Sequence, residues 1–187
     1  AIAKIAGIKL VESYNRQYAK SHGIDYRCVM PTNLYGPGDN YNPKTSHVLA
    51  ALIHKFHIAT ELSSPTVNCL GTGSPFREFL YADDLGEAVV FALENWNPSC
   101  PNAPLDKNNK PLLFLNVGTG VDISIHELAH KIASIYSYKG DICWDSTKPN
   151  GTPKKLLDIN HIKKMGWKPK INLDEGLRKT IFDYQSK

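Results

Sequence analysis

His126-Glu127-Leu128-Ala129-His130 is the segment whose residue types and spacing spell out a reaction most directly. On a helix, two histidines four apart share a face and can hold a zinc ion, with the glutamate between them activating a bound water. A third ligand would then come from downstream, from Asp145 or His161. Helix periodicity opposes this chemistry. Ile125, Leu128, Ile132, Ile135 and Tyr136 form the apolar stripe, while His126, Glu127, His130, Lys131 and Ser134 fall on the opposite, solvated face. Ser124 and Glu127 also match a capping box, which gives Glu127 a role at the helix start. The segment reads as a capped amphipathic helix, and no metal is expected.

A second chemical candidate is Lys4, near the start of a helical pattern over residues 1–22. Lys9, Glu12, Arg16 and Lys20 make one charged face, with Glu12 four residues before Arg16, the favourable order for a helical ion pair. Lys4 points roughly 100° away from that face, among Ile8, Val11 and Tyr18. Two readings stay open: a lysine near a helix end that snorkels to water, or an ammonium held for a chemical task.

Glycines near strands can cradle phosphates, yet none here makes a dinucleotide fingerprint. Gly71-Thr72-Gly73 reads as a hairpin turn, Gly118-Thr119-Gly120 as a strand-to-helix turn, and Gly36-Pro37-Gly38 as loop punctuation. A nucleotide cofactor would have to use parts outside these residues.

Composition narrows the classes. The 187 residues, 42% hydrophobic, can bury a core of one domain with part of another. No apolar run reaches membrane-spanning length and no signal peptide is visible, so a cytoplasmic protein without a membrane partner is expected. Cys28, Cys69, Cys100 and Cys143 lie far apart without a C-x-x-C pair and read as reduced thiols. The net charge of +4 is spread along the chain, without the basic stripe of a nucleic-acid binder.

The elements that must position any site alternate. Strands are expected over 26–30, 67–70, 78–81 and 112–117, with a short one near Ile142. Helices are expected from a Ser46 cap through Ala59, over 83–95, from Ser124 through Tyr138, and over 160–165 and 174–184. Residues 31–45 form a Pro-, Asn- and Gly-rich loop, 98–110 a polar one, and 148–155 a basic turn. This alternation predicts an α/β fold.

Several separated motifs occur in one order: Pro31-Thr32-Asn33-Leu34-Tyr35-Gly36-Pro37, Ser46-His47-Val48, Gly73 through Arg77-Glu78-Phe79, Asp83-Asp84, Asn116-Val117-Gly118-Thr119-Gly120 and Gly166-Trp167. Together they resemble the extended short-chain dehydrogenase/reductase family over essentially the whole chain. Ala1-Ile2-Ala3-Lys4 resembles the end of its Tyr-x-x-x-Lys signature, with the tyrosine expected one position before Ala1. The 150–158 segment and the 31–37 loop are similar to the branch that acts on GDP-4-keto-6-deoxy-D-mannose.

The resemblance implies the C-terminal part of a Rossmann-type NAD(P)-binding enzyme, with a remnant of the Rossmann domain over 1–45. A smaller α/β substrate-binding domain would cover 46–187, of which 78–120 partly returns to the Rossmann sheet. It implies NADP(H) as cofactor and a two-part reaction, 3,5-epimerisation and 4-reduction of the keto-sugar to GDP-L-fucose. In that family Lys4 would bind the nicotinamide ribose and lower the pKa of the tyrosine before it. His47 would be half of the epimerisation acid/base pair, its partner cysteine lying upstream of these residues, and would also border the cofactor. Pro31, Thr32, Asn33 and Leu34 would lie along the nicotinamide. Lys55, Leu70, Arg77, Asn150 and Lys155 would bind the GDP-sugar, although Lys55 stands where arginine is common, Leu70 where tryptophan is found, and Asn150 where aspartate is common. A homodimer through the helix carrying Lys4 is also implied. These 187 residues alone are expected to be inactive. A non-catalytic GDP-sugar-binding module and a related epimerase or reductase for another sugar nucleotide remain the alternatives.

Overall fold

The computed structural model describes residues 2–98, 100 and 103–186. Helix α1 (Ile2–His22) is followed by β1 (Cys28–Pro31), β2 (Asn33–Tyr35), α2 (Val48–Glu61), β3 (Thr66–Leu70), β4 (Phe76–Tyr81) and α3 (Ala82–Asn95). Then come β5 (Phe114–Val117), β6 (Asp122–Ser124), α4 (Ile125–Ile135), β7 (Asp141–Asp145), β8 (Lys154–Lys155), α5 (Asn160–Lys164) and α6 (Leu173–Gln185). The α/β alternation predicted from sequence is present.

Strand pairing is mostly parallel and joins segments distant in sequence. β1 pairs β5, placing Cys28 opposite Phe114, and β3 pairs β7, placing Thr66 opposite Asp141. β4 is the junction: it runs parallel to β2 and β8 and antiparallel to β6. Glu78, Phe79, Leu80 and Tyr81 are all buried, the two-sided burial of a central strand. The main core lies between α2, α4, α6 and the β3–β7 pair, where Ile53, Phe56, Cys69, Leu128, Ile132 and Leu177 meet.

Local chemistry sets the boundaries of the helices. The α4 capping box is formed: Ser124 Oγ accepts the Glu127 N–H at 3.1 Å and the Ser124 N–H donates to Glu127 Oε2 at 3.1 Å. The Ser124 hydroxyl and amide hold the Glu127 carboxyl below its ordinary range. The helix ends at Ile135 rather than Tyr138, because Ser137 takes a φ of 53° and the Tyr138 N–H turns back to the Ala133 carbonyl. At α2 the N-cap is His47, not Ser46. The Ser46 N–H closes the preceding turn on the Asn42 carbonyl, so the helix starts one residue later.

Three further expectations are corrected. The Gly71-Thr72-Gly73 turn is not a hairpin, since β3 and β4 pair with other strands. Gly118-Thr119-Gly120 leads into β6 before α4, and the basic turn contains the two-residue strand β8. In α1 none of the described residues is buried: Ile2, Ile5, Leu10 and Tyr14 are exposed, whereas Ile8, Val11 and Tyr18, the apolar residues near Lys4, are half-buried. Asn15 ties that helix down by exchanging two hydrogen bonds with the Tyr26 backbone.

The four cysteines are free. No helix among the described residues is long and apolar enough to cross a membrane. Among the same residues no cluster of three or more His, Cys, Asp or Glu could hold a metal ion.

Candidate functional site

Strand β4 builds the site. Arg77 and Lys155 are register partners across the parallel β4–β8 pair, as are Phe76 and Lys154. Partners at one register position leave the same face of a sheet, so a guanidinium and an ammonium emerge side by side. On the other face Lys154 is neutralised, with its Nζ 3.0 Å from Asp122 Oδ2 and 5.9 Å from the Phe76 ring centroid. Lys155 has no carboxylate partner among the described residues. Arg77 donates to the Phe76 carbonyl at 2.6 Å, and its Nη2 lies 3.7 Å from where a Cβ on Gly151 would stand.

A cavity of about 130 Å³ opens beside this pair, bounded by Arg77, Leu70, Asn150, Val48 and Gly73. Asn150 Oδ1 accepts the Thr72 N–H at 2.8 Å and the Thr72 hydroxyl at 3.2 Å. Because both partners donate, the amide oxygen is fixed toward the turn and the NH2 points the other way. A Cβ on Gly71 would meet Asn150 Oδ1 at 2.4 Å, and one on Gly73 would meet the Trp144 ring at 2.7 Å. The two glycines therefore let Asn150 and Trp144 dock onto the turn. Leu70 is 65% exposed at the end of β3 and offers only apolar contact.

Helix α2 contributes next. His47, its N-cap, is exposed and makes no side-chain cap bond, and Val48 after it borders the cavity. Lys55 lies seven residues beyond Val48, on the same helix face. Its Nζ donates to the Asn68 carbonyl at 2.6 Å, fastening α2 to the edge of β3.

The 31–34 segment lies at the C-terminal end of β1, where parallel α/β sheets place ligands. The Thr32 N–H donates to the Val117 carbonyl at 3.0 Å. Thr32 Oγ1 and Asn33 Nδ2 both donate to the Glu78 carbonyl, at 3.2 and 2.7 Å. Both side chains are thus tied to β4, Thr32 half-buried and Asn33 exposed, and Leu34 is 39% exposed. The structure thus gathers Leu70, Arg77 and Asn150 at one cavity, with Lys155 beside Arg77. Lys55 and the 31–34 segment are tied to neighbouring elements, whereas His47 is exposed at the start of α2 and exposed Lys4 does not line the cavity.

Glu78 was legible only as a motif member. It is wholly buried, and its carboxylate accepts the N–H groups of Thr119 and Gly120 at 2.6 and 2.7 Å and of Leu157 at 2.9 Å. The available signal was a lone carboxylate beside Phe79, Leu80 and Tyr81 in a strand.

A larger cavity, about 1100 Å³, is lined by His126, His130, Lys131, Ile171 and Leu173 and contains none of the expected site residues. Its polar groups are engaged elsewhere: Glu127 in the capping box, Lys131 with Asp174, and Lys170 with Glu87. The His126 and His130 rings are 4.5 Å apart, and His126 stacks on Trp144. The smaller cavity is the better candidate because cation, amide and apolar wall converge there.

Residues 1–102 match the NAD dependent epimerase/dehydratase family. The chain is 50% identical over 181 residues to GDP-L-fucose synthase of Escherichia coli (strain K12), covering 96% of this chain and 54% of that protein. It is 46% identical over 180 residues to the probable GDP-L-fucose synthase 1 of Oryza sativa subsp. japonica, covering 96% and 50%. The chain thus spans about half the length of these relatives. Among solved structures, the GDP-mannoheptose C4 reductase MlghC from Campylobacter jejuni, with NADP bound, superposes with a TM-score of 0.79. It is 30% identical, over 98% of this chain and 59% of that one. The motifs, the parallel pairing around β4 and these matches agree, and the chain belongs to the NAD dependent epimerase/dehydratase family.

Proposed function

We propose that this chain supplies the GDP-sugar site and the nicotinamide-facing loop of an enzyme that converts GDP-4-keto-6-deoxy-D-mannose to GDP-L-fucose. The observation that carries the reading is the Arg77–Lys155 register pair beside Leu70 and Asn150. A guanidinium fork can take two diphosphate oxygens at once, and an adjacent ammonium adds a point charge to the same anion. The relatives named GDP-L-fucose synthase support the choice of sugar nucleotide.

Protons at C3 and C5 of the sugar are acidic because the C4 carbonyl lies between them. An imidazole can remove or return such protons near neutral pH, which is the role assigned to His47, paired with a cysteine upstream of these residues. NADP(H), when bound, supplies the hydride for C4. The residues fit it: Pro31, Thr32, Asn33 and Leu34 stand at the carboxyl end of a parallel strand, and the Thr32 and Asn33 side chains are tied to the Glu78 carbonyl, so that backbone can face a flat ring. Lys4 would hold the nicotinamide ribose and lower the pKa of the tyrosine expected before Ala1. The related NADP-bound reductase supports the cofactor.

The division into a Rossmann part over 1–45 and a substrate part over 46–187 belongs to the same proposal, with 78–120 partly returning to the first sheet. The β1–β5 pairing supports it. Homodimerisation through α1 is supported by exposed Ile2, Ile5, Leu10 and Tyr14. A polypeptide of these 187 residues alone would not turn over. Competition binding with GDP and UDP tests the reading on the intact polypeptide that contains this chain: GDP should displace a labelled GDP-sugar at far lower concentration, and equal displacement by UDP would refute it.

A further inference from the structure

We infer that Glu78 is a positioning residue that holds the Lys155 segment against Arg77, so that its buried carboxylate sets the affinity of the diphosphate site without touching substrate. The inference rests on the GDP-sugar reading given above and deepens it.

Glu78 is wholly buried, and its side chain joins segments far apart in sequence. Oε1 accepts the Thr119 and Gly120 N–H groups, and Oε2 accepts the Leu157 N–H. Gly118 makes room for this approach, because a Cβ there would stand 2.2 Å from Oε1. Glu78 follows Arg77, and Leu157 lies two residues after Lys155. The short strand β8 is exposed and pairs with β4 through Lys154 and Lys155; beyond it the chain is held by the Leu157 N–H on Glu78 and by Asn116 Nδ2, which donates to the Asp158 carbonyl at 2.9 Å. One buried anion therefore closes a bracket around the Arg77–Lys155 pair. The cofactor side uses a different atom of the same residue, since Thr32 and Asn33 bond to the Glu78 backbone carbonyl.

This separation gives the test its asymmetry. In Glu78→Gln the amide oxygen best replaces Oε1, keeping two bonds, and the NH2 then opposes the Leu157 N–H, donor to donor. Only the Lys155 segment is released. In the intact polypeptide that contains this chain, E78Q should raise the Kd for GDP about tenfold. The Kd for NADPH should move by less than about twofold, because the backbone carbonyl is untouched. Lys155→Ala should weaken GDP binding in the wild-type background but add little in E78Q. A folded E78Q with unchanged GDP affinity would overturn the inference, as would equal losses for GDP and NADPH or full additivity with K155A. If the wild-type protein does not bind GDP, the reading of the site itself falls and takes this inference with it.

Hydrogen exchange on the wild-type protein decides the matter if E78Q does not fold. The Leu157 amide should be protected to the level of the Thr119 and Gly120 amides, and more so with GDP bound. Rapid exchange at Leu157 beside slow exchange at Thr119 and Gly120 would overturn the inference.

Discussion

Lys155 stands opposite Arg77 in the parallel β4–β8 register, so two cations share one sheet face while the neighbouring Lys154 is neutralised by Asp122 on the other. Like charges held together by backbone pairing repel unless an anion lies between them. In the proposed reading this pairing sets both the place and the sign of the ligand. Arg77→Ala should raise the Kd for GDP by roughly 10- to 100-fold, and Arg77→Lys by nearly as much, because lysine keeps the charge and loses the fork. Calorimetric titration with GDP checks this. Wild-type affinity in R77K would show that charge alone suffices.

Gly118→Ala should destabilise the protein by about 1–3 kcal/mol, because the new Cβ would press on Glu78 Oε1 where that carboxylate holds three backbone donors. The same substitution at Gly86, in α3 with nothing within 4 Å of the added Cβ, should stabilise by about 0.5–1 kcal/mol. Denaturant unfolding of both variants reads the contrast. Equal effects would mean that the Glu78 contact is not formed.

The His126/His130 pair should be dispensable for chemistry. Replacing both with alanine, or treating the protein with a chelator, should leave turnover unchanged, since Glu127 is committed to the capping box. Ser124→Ala should cost about 1 kcal/mol of stability through loss of the cap. Loss of activity on chelation would revive the zinc reading.

Alkaline pH should loosen the fold through Tyr41. Burial, with the Asp39 and Asp183 carboxylates nearby, pushes its phenol up to about 12. An unfolded tyrosine ionises near pH 10. Between about pH 10 and 12 the unfolded state therefore binds fewer protons than the folded one, and stability falls as pH rises. Burial raises the Tyr136 phenol as well, which adds to the loss in the same direction. Tyr41→Phe should move the alkaline unfolding midpoint upward. An unchanged midpoint would show that Tyr41 does not contribute.

The helices were legible in the sequence because their signals are local: Ser124 with Glu127 is visible within four residues, and the α4 apolar stripe needs only periodicity. The strand partners were not. Gly71-Thr72-Gly73 lies between two strands, and consecutive strands usually neighbour each other, yet β3 pairs with β7 and β4 with β2, β6 and β8. Lys154 and Lys155 carry no strand signal and become β8 only through pairing with Phe76 and Arg77. Of the site, the resemblance supplied Arg77, Leu70, Asn150 and Lys155. The bracket made by Glu78 depends on three distant backbone amides, which no local pattern reveals.

The most direct test of the account is NADPH oxidation by the intact polypeptide that contains this chain, with GDP-4-keto-6-deoxy-D-mannose as substrate and the sugar product examined for its configuration. NADPH should be consumed in step with formation of GDP-L-fucose, inverted at C3 and C5 and reduced at C4. No NADPH consumption, or a product reduced at C4 with C3 and C5 unchanged, would contradict it.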